Sequence, residues 1–154
     1  MTSLRAPSVE STLTLSPATS RYTKFVKVAL DLAAAAHRDA DCYYQLCALV
    51  VKKKRVLSVG YNNPKTHPLA KTKMKQLHAE MDAIIRCTPE QLDGAELIVV
   101  RARRDRKVGM AKPCKACHSF ITSVGIKRVY YTLDNPDWEN PTFERMDLSQ
   151  SQNN

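Results

Sequence analysis

The chain has 154 residues, 44% of them hydrophobic, which fits one globular domain able to bury a core without disulfide support. No run approaches the roughly 18 apolar residues of a membrane span, because Val28–Ala36 is short and carries Asp31. The net charge of +9 is unevenly spread and points to an anionic partner, a phosphorylated small molecule or a nucleic acid; a merely solvated basic surface is the alternative.

Residues 1–20 are rich in Ser, Thr and Pro without apolar periodicity and read as a disordered tail. They carry no apolar segment after a basic start, and Pro7, Glu10 and Pro17 oppose an amphipathic import helix. A globular domain is expected over residues 21–133, opening with a helix over Tyr22–Ala36, where Tyr22, Phe25, Val26, Ala29, Leu32 and Ala33 recur at helical spacing. Gln45–Val51 and Val56–Tyr61 are two strands of a hairpin whose turn is Lys52-Lys53-Lys54-Arg55. That tetrad is also the composition of a nuclear localisation signal, although a solvated turn accounts for it. A loop with Pro64 and Pro68 follows, then a helix over Leu77–Cys87. Leu97–Val100 reads as a buried strand, Arg101–Lys112 as a basic loop and Cys114–Val124 as a helix that starts after Pro113 and stops at Gly125. Ile126–Thr132 is a further strand. Residues 134–154 read as a polar, acidic tail with a short helix over Phe143–Leu148. This alternation implies an α/β fold, a three-layer α/β/α sandwich on a mixed sheet, with right-handed crossovers placing both later helices on one face.

The five cysteines are Cys42, Cys47, Cys87, Cys114 and Cys117. An odd count without a secretion signal favours a reducing compartment, the cytoplasm or, given the basic tetrad, the nucleus. The first three lie in apolar stretches and read as core residues. Cys114 and Cys117 form Pro113-Cys114-Lys115-Ala116-Cys117 at a helix start, and His78-Ala79-Glu80 opens the preceding helix. A Cys-x-x-Cys alone fits a redox pair or half a zinc finger. Taken together, one His and two Cys supply three ligands to a catalytic zinc and leave its fourth position to water. The first turn of a helix favours the thiolates. Glu80 would then move protons, but residues two apart do not share a helix face, so His78 and Glu80 converge only if they straddle the helix entry. His67 is a further candidate ligand without a partner set, or simply a loop residue.

His-x-Glu followed by Pro-Cys-x-x-Cys resembles the signature of the zinc-dependent cytidine/deoxycytidylate deaminase superfamily. The resemblance covers residues 22–132 and includes Gly60-Tyr61-Asn62 and Gly125-Ile126-Lys127-Arg128-Val129-Tyr130, which look like their counterparts in deoxycytidylate deaminases. It implies Zn2+ held by His78, Cys114 and Cys117, proton transfer by Glu80, and hydrolytic attack at C4 of cytosine or C6 of adenine. It also implies substrate binding by Asn62, Ala79 and Pro113, and a homo-oligomer. Two residues depart from the subgroups: Asp82 stands where deoxycytidylate deaminases often carry Asn, and the acidic tail differs from the longer C-terminal helix of transfer-RNA adenosine deaminases. Thr66-His67-Pro68 looks like the loop of phage and microbial deaminase-like proteins. The leading reading is therefore deamination of a free cytosine nucleoside or nucleotide, dCMP among them. The alternatives are a deaminase of cytosine or adenine in single-stranded DNA or RNA, including tRNA, and a catalytically silent zinc-stabilised binding module. Lys65, Lys73, Lys75, Arg103, Arg104 and Arg106 are the candidate contacts to phosphate or nucleic acid, expected around the mouth of the site.

Overall fold

The computed structural model describes residues 17–36, 44–62 and 78–148. In chain order these form α1 (Pro17–Ala35), β1 (Tyr44–Lys52), β2 (Arg55–Tyr61), α2 (Ala79–Ile84) and α3 (Pro89–Leu92). Then come β3 (Glu96–Arg103), β4 (Val108–Gly109), α4 (Lys115–Ser123), β5 (Arg128–Thr132) and β6 (Phe143–Asp147). Residues 1–16, 37–43, 63–77 and 149–154 lie outside the described set, and with them most of the expected N-terminal tail, the Pro64–Pro68 loop and Cys42; Pro17–Ser20, expected as tail, instead form the first turn of α1, with proline at its start.

The sheet runs β2-β1-β3-β5-β6, with β4 paired to β3 beyond the end of β5. Only β3 and β5 pair in parallel, so the sheet is mixed as expected. Side-chain alternation divides the core into two layers. Cys47, Leu49, Val51, Ile98, Val100 and Tyr130 face α1, together with Val26, Ala29, Leu30 and Ala33. Ala48, Val50, Leu97, Val99, Val129 and Tyr131 face the other way, onto Met81, Ala83 and Ile84 of α2 and Cys117 and Ile121 of α4. This is the expected α/β/α sandwich, with both later helices on one face. Among the described residues no helix is long and apolar enough to cross a membrane.

The hairpin forms where its pattern places it. Lys52 pairs with Arg55 across a two-residue turn, in which Lys53 and Lys54 take φ of 52° and 67°. Positive φ at both central positions is that of a type I′ turn, whose twist matches the right-twisted strands, although it costs each non-glycine residue about 1–2 kcal/mol. α4 stops as expected at Gly125, which adopts φ of +95°.

Four local expectations change. Phe143–Asp147 is a strand, antiparallel to β5, rather than a short helix. The open edge of β5 decides this, for a strand there places Phe143 edge-on to Tyr130 at 6.1 Å, Glu144 on the Tyr131 hydroxyl at 2.7 Å and Asp147 on Arg128 at 2.9 Å. The segment read as a tail after residue 133 also carries Trp138 and Leu148 into the core. Arg101–Arg103 belong to β3, and the basic loop folds back as β4. Finally, Thr88 and Gln91 form a reciprocal capping box that starts the separate turn α3.

Candidate metal centre and active site

β2, β3 and β5 run in the same sense, each antiparallel to or parallel with its neighbour as the register requires. α2 enters from the C-terminal side of β2, and α4 leads into β5, so both helices begin at the C-terminal ends of these strands. Open α/β sheets hold ligands at that edge.

His78 is the N-cap of α2 and Cys114 the N-cap of α4, both in extended backbone conformation. Neither side chain caps its own helix. They turn toward each other instead. His78 Nδ1 lies 3.7 Å from Cys114 Sγ and 3.3 Å from Cys117 Sγ, and all three donor atoms fall within 4.8 Å of one another. Tetrahedral bonds of about 2.3 Å to sulfur and about 2.0–2.1 Å to nitrogen put such ligand atoms roughly 3.6 Å apart. The spacing therefore fits Zn2+ without rearrangement. Among the described residues this is the one His/Cys/Asp/Glu group that could hold a metal ion.

The electrostatics make the same case. Burial lowers the His78 pKa, which favours the neutral imidazole that a ligand must be. Cys117 is buried, and burial together with the neighbouring Glu80 and Cys114 pushes its thiol far up. A divalent cation among these groups would reverse that penalty.

Glu80 is 4% exposed, and burial pushes its carboxyl up to about 7, against opposing hydrogen bonds from its own backbone amide and from Cys117. Glu80 thus lies beside Cys117, close to the His78/Cys114/Cys117 group. His78 precedes the helix in extended conformation and Glu80 lies within its first turn, so ordinary helical facing does not separate them.

α2 is seated directly on the backbone of β2. The Ser58 hydroxyl donates to the Ala83 carbonyl at 2.6 Å, and the Tyr61 N–H donates to Asp82 Oδ2 at 3.0 Å. A β-carbon on Gly60 would collide with Ala83 N and stand 2.5 Å from the Ala79 carbonyl oxygen and 2.8 Å from Ala83 Cα. Asn62 follows at once, its Oδ1 accepting the Leu46 N–H at 2.9 Å, so its carbonyl oxygen is spent on the end of β1. Its Nδ2 meets no acceptor among the described residues. Ala79 and Pro113 are buried, each beside a cap residue of the candidate metal group, His78 and Cys114.

The basic residues divide. Arg103 ends β3 and Arg104 follows it in the β3–β4 turn; both are exposed, at the sheet end where α2 and α4 begin. Arg106 turns away. It adopts φ of 57°, lays its guanidinium over the Trp138 ring at 4.5 Å and pairs with Glu139 at 3.8 Å. It thereby lines a groove on the α1 side with Lys27 and Asp31. Lys65, Lys73, Lys75 and His67 lie outside the described residues. Cys47 is a fully buried core thiol pushed up to about 12 by burial, while Cys87 is half-buried. Sequence reasoning singled out Asp82 only as a departure, and overlooked the clash that excludes a side chain at position 60.

An α/β sandwich with a His/Cys/Cys metal centre at two helix starts and a buried glutamate among the ligands defines a class of zinc hydrolases. The family profile "Cytidine and deoxycytidylate deaminase zinc-binding region" matches residues 19–133. Deoxycytidylate deaminase of Mycobacterium phage D29 is 31% identical over 128 residues, 69% of this chain and 92% of the phage protein. Among solved structures, dCMP deaminase from the cyanophage S-TIM5 in apo form superposes with a TM-score of 0.50 at 24% identity, covering 76% of this chain and 84% of that one. Cytidine deaminase from Burkholderia pseudomallei superposes with a TM-score of 0.54 at 18% identity, covering 80% and 91%. These two superpositions establish the shared fold. The chain belongs to the cytidine and deoxycytidylate deaminase zinc-binding family, and is a deaminase of the hydrolase class.

Proposed function

We propose that the chain hydrolyses the exocyclic amine of a cytosine nucleotide, dCMP, giving dUMP and ammonia. The observation that carries this reading is the buried Glu80 carboxyl in contact with Cys117, at the start of the helix whose cap is His78. The 31% identity to a phage deoxycytidylate deaminase, across 92% of its length, supports the nucleotide substrate.

His78, Cys114 and Cys117 hold zinc, which when bound supplies the Lewis acidity that makes water a usable nucleophile near neutral pH. Glu80 takes a proton from the attacking water and delivers it to N3 of the ring. A second proton, relayed by the same carboxylate, goes to the amine. The C4–N bond then breaks, ammonia leaves and the ring keeps the oxygen. The balance is cytosine plus water to uracil plus ammonia. Burial of Glu80 keeps these protons out of bulk water, which is general acid/base work by one positioned group. Asn62 Nδ2 holds the sugar, and Ala79 and Pro113 wall the base. Arg103 and Arg104, with Lys65, Lys73 and Lys75, draw in the phosphate, whereas Arg106 braces the hairpin on Trp138.

A second reading rests on the exposed Arg103 and Arg104 at the same sheet end: a base presented by single-stranded DNA or RNA. We also assign the enzyme to the cytoplasm as a homo-oligomer, free thiols such as Cys47 and Cys87 suiting a reducing compartment.

Zinc-loaded protein should release ammonia from dCMP faster than from deoxycytidine, adenine nucleotides or oligonucleotides. Turnover confined to oligonucleotides, with binding that falls by about 0.7 log units per log unit of salt for each phosphate contacted, would replace the first reading with the second. No turnover of any cytosine or adenine compound would leave a zinc-stabilised binding module.

A further inference from the structure

Asp82 takes no part in the chemistry above, yet its side chain is only 10% exposed and makes two hydrogen bonds. Oδ1 accepts from Arg86 at 3.0 Å, one turn further along and largely exposed. Oδ2 accepts from the backbone N–H of Tyr61 at 3.0 Å, across 21 residues of chain.

Tyr61 is the last residue of β2, which lies at the edge of the sheet. Successive amides of a strand point to opposite sides. The Asn62 N–H points to β1 and meets the Leu46 carbonyl at 3.4 Å, so the Tyr61 N–H points to the open edge. Among the described residues no strand lies there to accept from it, and Asp82 reaches down from α2 to do so. The next residue is Asn62, and two residues before Asp82 on the same short helix is Glu80. One carboxylate thus ties the end of the strand that presents Asn62 to the helix that presents Glu80.

We propose that Asp82 is a positioning residue that sets the spacing between Asn62 and Glu80, so that sugar and base are held in one register over the metal centre. This rests on the reading of Asn62 as a substrate contact. What the role requires is an acceptor at this position, not a charge. Arg86 is exposed, so water can replace its bond to Asp82 when the charge is removed, and asparagine should serve where alanine does not. That separates positioning from any effect of the Asp82 charge on Glu80.

The test compares steady-state kinetics on dCMP for N62A, D82A, D82N and the double variant D82A/N62A, with zinc content measured throughout. D82A should keep its zinc and lose about tenfold in kcat/KM, mainly through KM, as a displaced binding group does. D82N should stay within about twofold of the unmodified protein. The double variant should be no worse than the poorer single variant by more than about twofold, because both changes remove one unit. Amide exchange read by NMR on the unmodified protein should show the Tyr61 N–H protected like the interior amides of β1, a measurement that holds even if D82A fails to fold. A freely exchanging Tyr61 amide overturns the proposal. So does D82N as impaired as D82A, full multiplication of the two single losses, or D82A unchanged while N62A is impaired. If N62A itself leaves KM unchanged, the reading of Asn62 falls, and this inference with it.

Discussion

Replacing Gly60 with alanine puts a methyl group where α2 meets β2. Its carbon would stand 2.5 Å from the Ala79 carbonyl oxygen and 2.8 Å from Ala83 Cα, and it would also press on Ala83 N. Both neighbours are backbone, so no side chain can rotate away. Carbon atoms in contact sit about 3.5–4.0 Å apart, so the helix must lift by roughly 1 Å. Overpacking of this kind costs about 1–3 kcal/mol, which at this chain length lowers Tm by roughly 2–12 °C. The larger effect falls on catalysis. α2 carries Glu80 and is capped by His78, and a shift of about 1 Å in a reacting group costs on the order of a hundredfold in rate. G60A should therefore fold, retain most of its zinc and lose about a hundredfold in kcat/KM. Gly94 provides the control. It adopts φ of +77° with nothing within 4 Å of an added β-carbon, so G94A should cost about 1–2 kcal/mol in stability and leave kcat/KM unchanged. The assays are thermal unfolding followed by circular dichroism, elemental analysis for zinc, and ammonia release. A G60A protein within about threefold of the unmodified kcat/KM would refute the claim that the close approach of α2 to β2 sets the site.

C117S should lose most of its zinc and unfold at lower temperature, because the site is assembled only in the folded chain and metal binding is coupled to folding. Full zinc by elemental analysis in this variant would remove Cys117 from the ligand set. E80Q keeps the size and burial of the side chain but cannot accept the water's proton, so it should keep zinc and fold while turnover falls by about a hundred- to ten-thousandfold or more. Near-normal ammonia release by E80Q would discard the mechanism. The double variant R103A/R104A should raise KM for dCMP several-fold at low salt and leave KM for deoxycytidine alone, since the nucleoside has no phosphate to attract. An equal rise for both would make the two arginines part of the fold or of the base pocket.

The candidate metal ligands and the candidate proton carrier can be named from the sequence because catalytic zinc demands particular donor atoms. His78, Glu80, Cys114 and Cys117 are too specific a set to arise from helix or core requirements alone. The main layers are legible for a different reason. Strands β1, β3 and β5 are buried on both faces and read as continuous apolar runs, and α1 shows its spacing plainly. Residues that gain their meaning from distant neighbours are not legible. Phe143–Asp147 has no decisive pattern of its own and becomes a strand because β5 offers an open edge. Arg106 reads as one more cation in a basic run, and only Trp138, beyond the intervening helix and strand, turns it toward α1. Asp82 reads as a substitution in a motif, and its contact with Tyr61 exists only once α2 has settled onto β2 across Gly60. Donor chemistry and apolar periodicity are local properties and can be read along the chain. Sheet edges, close backbone approach and the direction of a long side chain are set by packing between segments far apart in it.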